Sequence, residues 1–136
     1  MTYFITGATG FIGRNLMERL LGNRNGKIYV LVREGSTGRL DDLIDRWSTT
    51  TGEPVAKRIV PVVGDLRRPL LGLDGEQITE LRGKIDHFVH LAAVYDMTAP
   101  PERNTAVNVG GTTHAVELAR SLEVGCLHHV SSIAVA

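Results

Sequence analysis

Apolar positions along the chain alternate between two rhythms. Tyr3 to Thr6 is a short β-rich run ending at a glycine, after which Ile12, Leu16 and Leu20, with Met17 and Leu21 beside them, recur at helical spacing. A strand, a glycine turn and a helix are predicted. The helix stops near "GNRNG", and Lys27 to Val32 ("KIYVLV") is a near-continuous apolar run, as expected of a strand covered on both faces of a parallel sheet. "RLDDLIDRW" then places Leu40, Leu43, Ile44 and Trp47 on one helical face. Arg58 to Val63 ("RIVPVV") predicts a third strand, which Pro61 weakens by removing a ladder donor. A loop, "GDLRRPLLGLDG", leads into a short helix, "EQITELRG", and a fourth strand from Asp86 to Ala92. "PPERNTAVNVGGTTHAVELARSLE" enters a long helix with Val107, Gly111, Ala115, Leu118 and Leu122 on its buried side, and "LHHVSS" is a fifth strand.

Five strands separated by helices imply right-handed βαβ crossovers, because parallel neighbours cannot be joined by tight turns. The expected architecture is α/β: a doubly wound, mainly parallel sheet with helices on both faces, truncated after strand five, in one compact domain over residues 1–136. Ligands of such sheets bind beyond the carboxyl ends of the strands. Functional residues are therefore expected just after strands.

Composition narrows the partners. Fifteen basic and fifteen acidic residues give zero formal net charge, so neither nucleic acid nor an anionic membrane is expected to bind. No apolar stretch approaches the roughly 20 residues that a membrane-spanning helix needs. One cysteine, Cys126, excludes an internal disulfide framework and fits a reducing, cytoplasmic compartment. With the glycine turn so near the start, no signal or transit segment is expected before it.

The turn reads "TGATGFIG". Gly7 permits the tight turn, Gly10 lets backbone approach a pyrophosphate, and Gly13 lets the helix pack closely, while Ala8, Thr9, Phe11 and Ile12 complete the loop and the helix start. The free N–H groups and positive dipole end of the helix would face the phosphates. At the end of strand two, where a carboxylate would hold the ribose hydroxyls of NAD, the chain has Arg33, with Ser36, Thr37 and Arg39 following. A guanidinium favours the additional phosphate of NADP(H), the expected cofactor. The alternative leaves Arg33 in solvent and gives the ribose to Glu34.

"TGATGFIG", "GDL" after strand three, "HLAA" at strand four and "HVSS" at strand five occur in register across nearly the whole chain. The sequence resembles the N-terminal part of an extended short-chain dehydrogenase/reductase with an NAD(P)-binding Rossmann fold. "LVRE", "GDLRRPLLGL", "HLAAVYD" and "NVGGT" are most similar to the branch of fatty acyl-CoA reductases and thioester reductase domains. The resemblance implies NADPH-dependent reduction of an acyl thioester to aldehyde or alcohol, in lipid metabolism. A nucleotide-sugar epimerase or dehydratase, or a non-catalytic NADP-binding module, is the alternative.

The resemblance also assigns residues. Asp65 and Leu66 would border the adenine, unless Asp65 serves only to stabilise the turn after Gly64. Leu91, Ala92 and Ala93 would let the cofactor approach the backbone, and Asn108 would lie near the cofactor, support the helix or face solvent. Ser132 corresponds to the family's serine or threonine that polarises the substrate carbonyl, with Ser131 against the cofactor. The family's proton-donating tyrosine, with a lysine four residues later, has no counterpart. Tyr3, Tyr29 and Tyr95 are followed at that distance by Gly7, Arg33 and Ala99, so the chain is expected to be part of a longer reductase and inactive alone.

No metal site is expected. His87 and His90 should point to opposite strand faces, His128 and His129 likewise, His114 should lie on the long helix, and Cys126 should be a buried apolar side chain.

Overall fold

The computed structural model describes residues 1–23, 26–35, 37–52, 55–91 and 101–130, with backbone only for Phe11, Asn23 and 101–107. Its strands are β1 (Tyr3–Thr6), β2 (Ile28–Val32), β3 (Ile59–Val63), β4 (His87–His90) and β5 (Cys126–His129). The helices are α1 (Phe11–Asn23), α2 (Thr37–Thr51), α3 (Gly75–Leu81) and α4 (Pro101–Ser121), with a 3-10 turn at Pro69–Gly72. Every strand pairing is parallel, in the order β3-β2-β1-β4-β5. The strand order reverses direction at β1 and β4, which places the switch point beside the glycine turn.

Strand alternation divides the core in two. Tyr3, Ile5, Val30 and Val89 join Met17 and Leu21 of α1 and Leu40, Leu43 and Trp47 of α2 on one face. Phe4 and Phe88 stack with ring centroids 4.8 Å apart on the other, beneath Ile78 of α3 and Ala115, Leu118 and Ala119 of α4. Burying each large apolar side chain contributes about 1.5–3 kcal/mol. Of the expected buried side of α4, Gly111, Ala115, Leu118 and Leu122 are buried, and the Val107 side chain lies outside the described residues.

Pro61 is accommodated because β3 is an edge strand, where a missing N–H breaks no central ladder. The apolar positions of α1 differ in burial. Gly13, Met17 and Leu21 form its buried line, Leu16 and Leu20 are half-buried, and Ile12 is 57% exposed in the first turn. Arg58, just before β3, donates to the carbonyl oxygens of Gly26 at 3.1 Å, Leu21 at 3.0 Å and Leu20 at 3.4 Å. It supplies the cation that the last turn of α1 lacks. Asp74 and Gln77 form a reciprocal capping box on α3. No helix among the described residues is long and apolar enough to cross a membrane.

Candidate functional site

The turn after β1 is shaped by two of its glycines. Gly7 has φ +79°, a left-handed conformation that side chains disfavour, and its carbonyl accepts the Gly10 N–H at 3.1 Å. A Cβ on Gly13 would run into the Gly7 carbonyl and the Ala8 backbone, so α1 reaches the turn only because that position has no side chain. A Cβ on Gly10 would meet only the Gly7 oxygen, at 3.4 Å. Ala8 is buried, Thr9 half-buried and Ile12 exposed. The first turn of α1 carries no acidic side chain, and its leading N–H groups have no intrahelical acceptor. These features fit a pyrophosphate.

Beside this turn, β2 and β3 also deliver residues at their carboxyl ends. A groove of about 430 Å³ is lined by Arg33, Glu34, Gly64, Asp65, Arg67 and Arg68, with Val63, 48% exposed, as an apolar surface. The Asp65 carboxylate accepts from the Arg67 backbone N–H at 2.9 Å and from its guanidinium at 3.2 and 3.1 Å. Those hydrogen bonds, side chain first and then backbone, hold the Asp65 carboxyl below its ordinary value. Asp65 therefore adopts the turn-stabilising arrangement, while its position still borders the groove. The loop that follows is strained: Leu70 and Leu71 both have φ +55°, costing about 1–3 kcal/mol each. Leu71, fully buried, holds this geometry by accepting the Asp65 N–H at 2.8 Å.

Arg39 and Leu66 do not line this groove. Arg39 sits exposed on α2 and does not line the groove, because α2 begins at Thr37 and carries it away from the end of β2. Leu66 packs on the second core, next to Gly111 of α4. Arg67 and Arg68 take their place, and the signal available for them was only the basic pair in "GDLRRP". Leu91 is half-buried at the exit of β4, and Asn108 is half-buried on α4. Ser36, Ala92, Ala93, Tyr95, Ser131 and Ser132 lie outside the described residues, as does the Phe11 side chain.

The exits of β1 and β4 are tied by a buried polar chain that pattern reading did not find. Thr6 Oγ1 lies 2.7 Å from His90 Nδ1 and accepts the Leu91 N–H at 3.2 Å. Thr112 Oγ1 lies 3.5 Å from His90 Nε2. Donation by the Thr6 hydroxyl to Nδ1 leaves the Nε2 hydrogen directed at Thr112, a neutral ring with both nitrogens engaged. Burial, and then repulsion from His129, whose ring stacks 5.5 Å away, push the His90 pKa down to about 4.

Three of the residues weighed for metal chemistry come together among the described residues. His87 and His90 do face opposite sides of the sheet, but pairing with β5 brings His87, Cys126 and His128 together on one face. Cys126 is exposed rather than buried. His114 lies on α4, with Nδ1 3.7 Å from Glu117.

A family model described as Male sterility protein, an NAD-binding family, matches residues 5–136. The chain belongs to this family. It is an extended short-chain dehydrogenase/reductase, most like thioester reductase domains and fatty acyl-CoA reductases. The terminal reductase domain of the myxalamid biosynthetic pathway superposes with a TM-score of 0.80 at 36% identity, over 97% of this chain and 34% of that one. The reductase domain of a Mycobacterium tuberculosis non-ribosomal peptide synthetase gives 0.77 at 30% identity, over 97% and 33%. A linear gramicidin synthase protein of Brevibacillus parabrevis is 36% identical over 136 residues, which are 95% of this chain and 3% of that protein. A Drosophila melanogaster protein carrying a provisional fatty acyl-CoA reductase name is 34% identical over 88% of this chain and 23% of its own. The chain thus spans about a third of the solved reductase domains it matches. The family and the glycine turn together identify a nicotinamide dinucleotide as the cofactor.

Proposed function

We propose that this chain is the NADPH-binding part of a reductase that converts an acyl thioester to an aldehyde or alcohol. The groove at the exits of β2 and β3 carries the cofactor preference. Three cations, Arg33, Arg67 and Arg68, line it against the carboxylates of Glu34 and Asp65, and Asp65 is already engaged by Arg67. A 2′-phosphate there gains charge-assisted hydrogen bonds that NADH cannot make. Val63 offers an apolar surface to the adenine, the turn over Gly7, Ala8, Thr9, Gly10, Phe11, Ile12 and Gly13 holds the pyrophosphate, and Leu91 borders the dinucleotide at the switch point. Ala92, Ala93, Asn108 and Ser131 complete the cofactor site on the strength of the family pattern.

Bound NADPH supplies the hydride for the acyl carbonyl carbon. Ser132 donates a hydrogen bond to the carbonyl oxygen and so favours the charge that develops on it. Fatty acyl-CoA reductases and reductase domains of peptide synthetases among the relatives support the thioester as substrate.

Titrating NADPH and NADH against the wild type and Arg33→Asp tests the preference. Arg33→Asp should weaken NADPH binding at least tenfold more than NADH binding, and equal losses for the two cofactors would overturn the assignment.

A further inference from the structure

His87 opens β4 and Cys126 opens β5, and the register sets them directly opposite one another. His128, two residues along β5, projects from the same face because strand side chains repeat with period two. One nitrogen from each imidazole and the Cys126 sulfur all lie within 4.8 Å of one another, with His87 Nδ1 3.1 Å from His128 Nε2. Tyr3, paired with His87 from β1, stacks on its ring at 5.4 Å between centroids. The ring is thereby held in plane toward β5.

We propose that His87, Cys126 and His128 bind one divalent transition-metal ion of borderline softness, zinc being the representative, with a fourth position left to water. Two imidazoles and a thiolate suit Zn²⁺ or Co²⁺, whereas Mg²⁺ and Ca²⁺ take oxygen ligands. Tetrahedral bonds of ~2.0–2.1 Å to nitrogen and ~2.3 Å to sulfur separate neighbouring donors by about 3.3–3.6 Å. The two nitrogens are already close to that separation, and modest rotation of the cysteine closes the third side. Cys126 and His128 are exposed, so an ion reaches them from solvent. Binding replaces the hydrogen bond between the imidazoles: the ring that donated it shifts that hydrogen to its far nitrogen by exchange with solvent, the other ring keeps its hydrogen there, and the thiol releases one proton to solvent as the sulfur–metal bond forms. The site sits toward the amino ends of β4 and β5, at the opposite end of the sheet from the glycine turn and the arginine groove. It therefore does not compete with the dinucleotide.

Anaerobic titration of the reduced chain with Co²⁺, followed by absorption, tests this site. One equivalent should produce a thiolate-to-cobalt charge-transfer band in the near ultraviolet together with the visible bands of a four-coordinate ion, and Zn²⁺ should displace both. Cys126→Ser should abolish the charge-transfer band, and His128→Gln should weaken Co²⁺ at least tenfold. Circular dichroism of both variants, whose altered side chains are exposed, should match the wild type. No charge-transfer band in the wild type, or a band unchanged in Cys126→Ser, would overturn the site.

Discussion

Acid should loosen this fold through one histidine. His90 is 3% exposed and titrates near 4 in the folded chain, against an ordinary 6.5 in the open one. Because the folded pKa is the lower, the unfolded chain takes up the proton first. Stability is therefore full above about 6.5, falls as pH drops toward 4, and levels below that. The gap corresponds to about 3 kcal/mol at the acid limit, of which roughly 2 to 3 kcal/mol has gone by pH 4.5. His129 is the titratable neighbour that faces His90 from β5, and Thr6 and Thr112 are the polar partners of His90. Asp65 works in the opposite sense, since its lowered pKa stabilises the fold above 3.8 and the loss comes only below that value, outside this window. The assay is urea unfolding at pH 7.5 and 4.5 for wild type and His90→Asn. Wild type should lose about 2 kcal/mol more than the variant between the two conditions, although the variant starts less stable at pH 7.5. An equal loss in both proteins would refute the assignment of acid sensitivity to His90.

Two further outcomes follow from local geometry. Arg58→Met removes three hydrogen bonds to the end of α1 and the segment after it, and should lower unfolding free energy by about 2 kcal/mol in urea titration with no change in the NADPH-to-NADH affinity ratio. Gly13→Ala should abolish dinucleotide binding measured by fluorescence, because its methyl group meets the Gly7 backbone. Gly22→Ala, with nothing within 4 Å of the new methyl, should leave binding intact and stabilise α1 by roughly 0.5–1 kcal/mol.

The strands and helices were legible because a parallel sheet covered on both faces writes its strands as apolar runs, and turn residues punctuate them. Pro61 argued against β3 only until the strand order made it an edge. What was hidden depends on which strands become neighbours. His90 meets Thr6 across 84 residues, and His87, Cys126 and His128 converge only once β5 docks on β4 in a fixed register. Arg67 and Arg68 lay in a segment without periodicity, where a pair of left-handed leucines sets the direction of the chain. Spacing alone did not show the exposure of Ile12, which stands in the first turn of α1, at the rim where the dinucleotide is proposed to lie.

The position of β1 in the middle of the sheet also sets an order of assembly. Its partner β2 arrives within about thirty residues, and with β3 the pairs on that side can close as soon as the first sixty or so residues are available. The other edge of β1 stays open until β4, whose contact with Thr6 spans 84 residues, and long-range closure of this kind is slow. Until β4 is available, β1 is paired on one side only, with Phe4 lacking its stacking partner Phe88. The junction of Thr6, His90 and Leu91 beside the glycine turn closes that edge of β1, before β5 adds to β4. Occupancy of the turn by dinucleotide would then report that the two halves of the sheet have met.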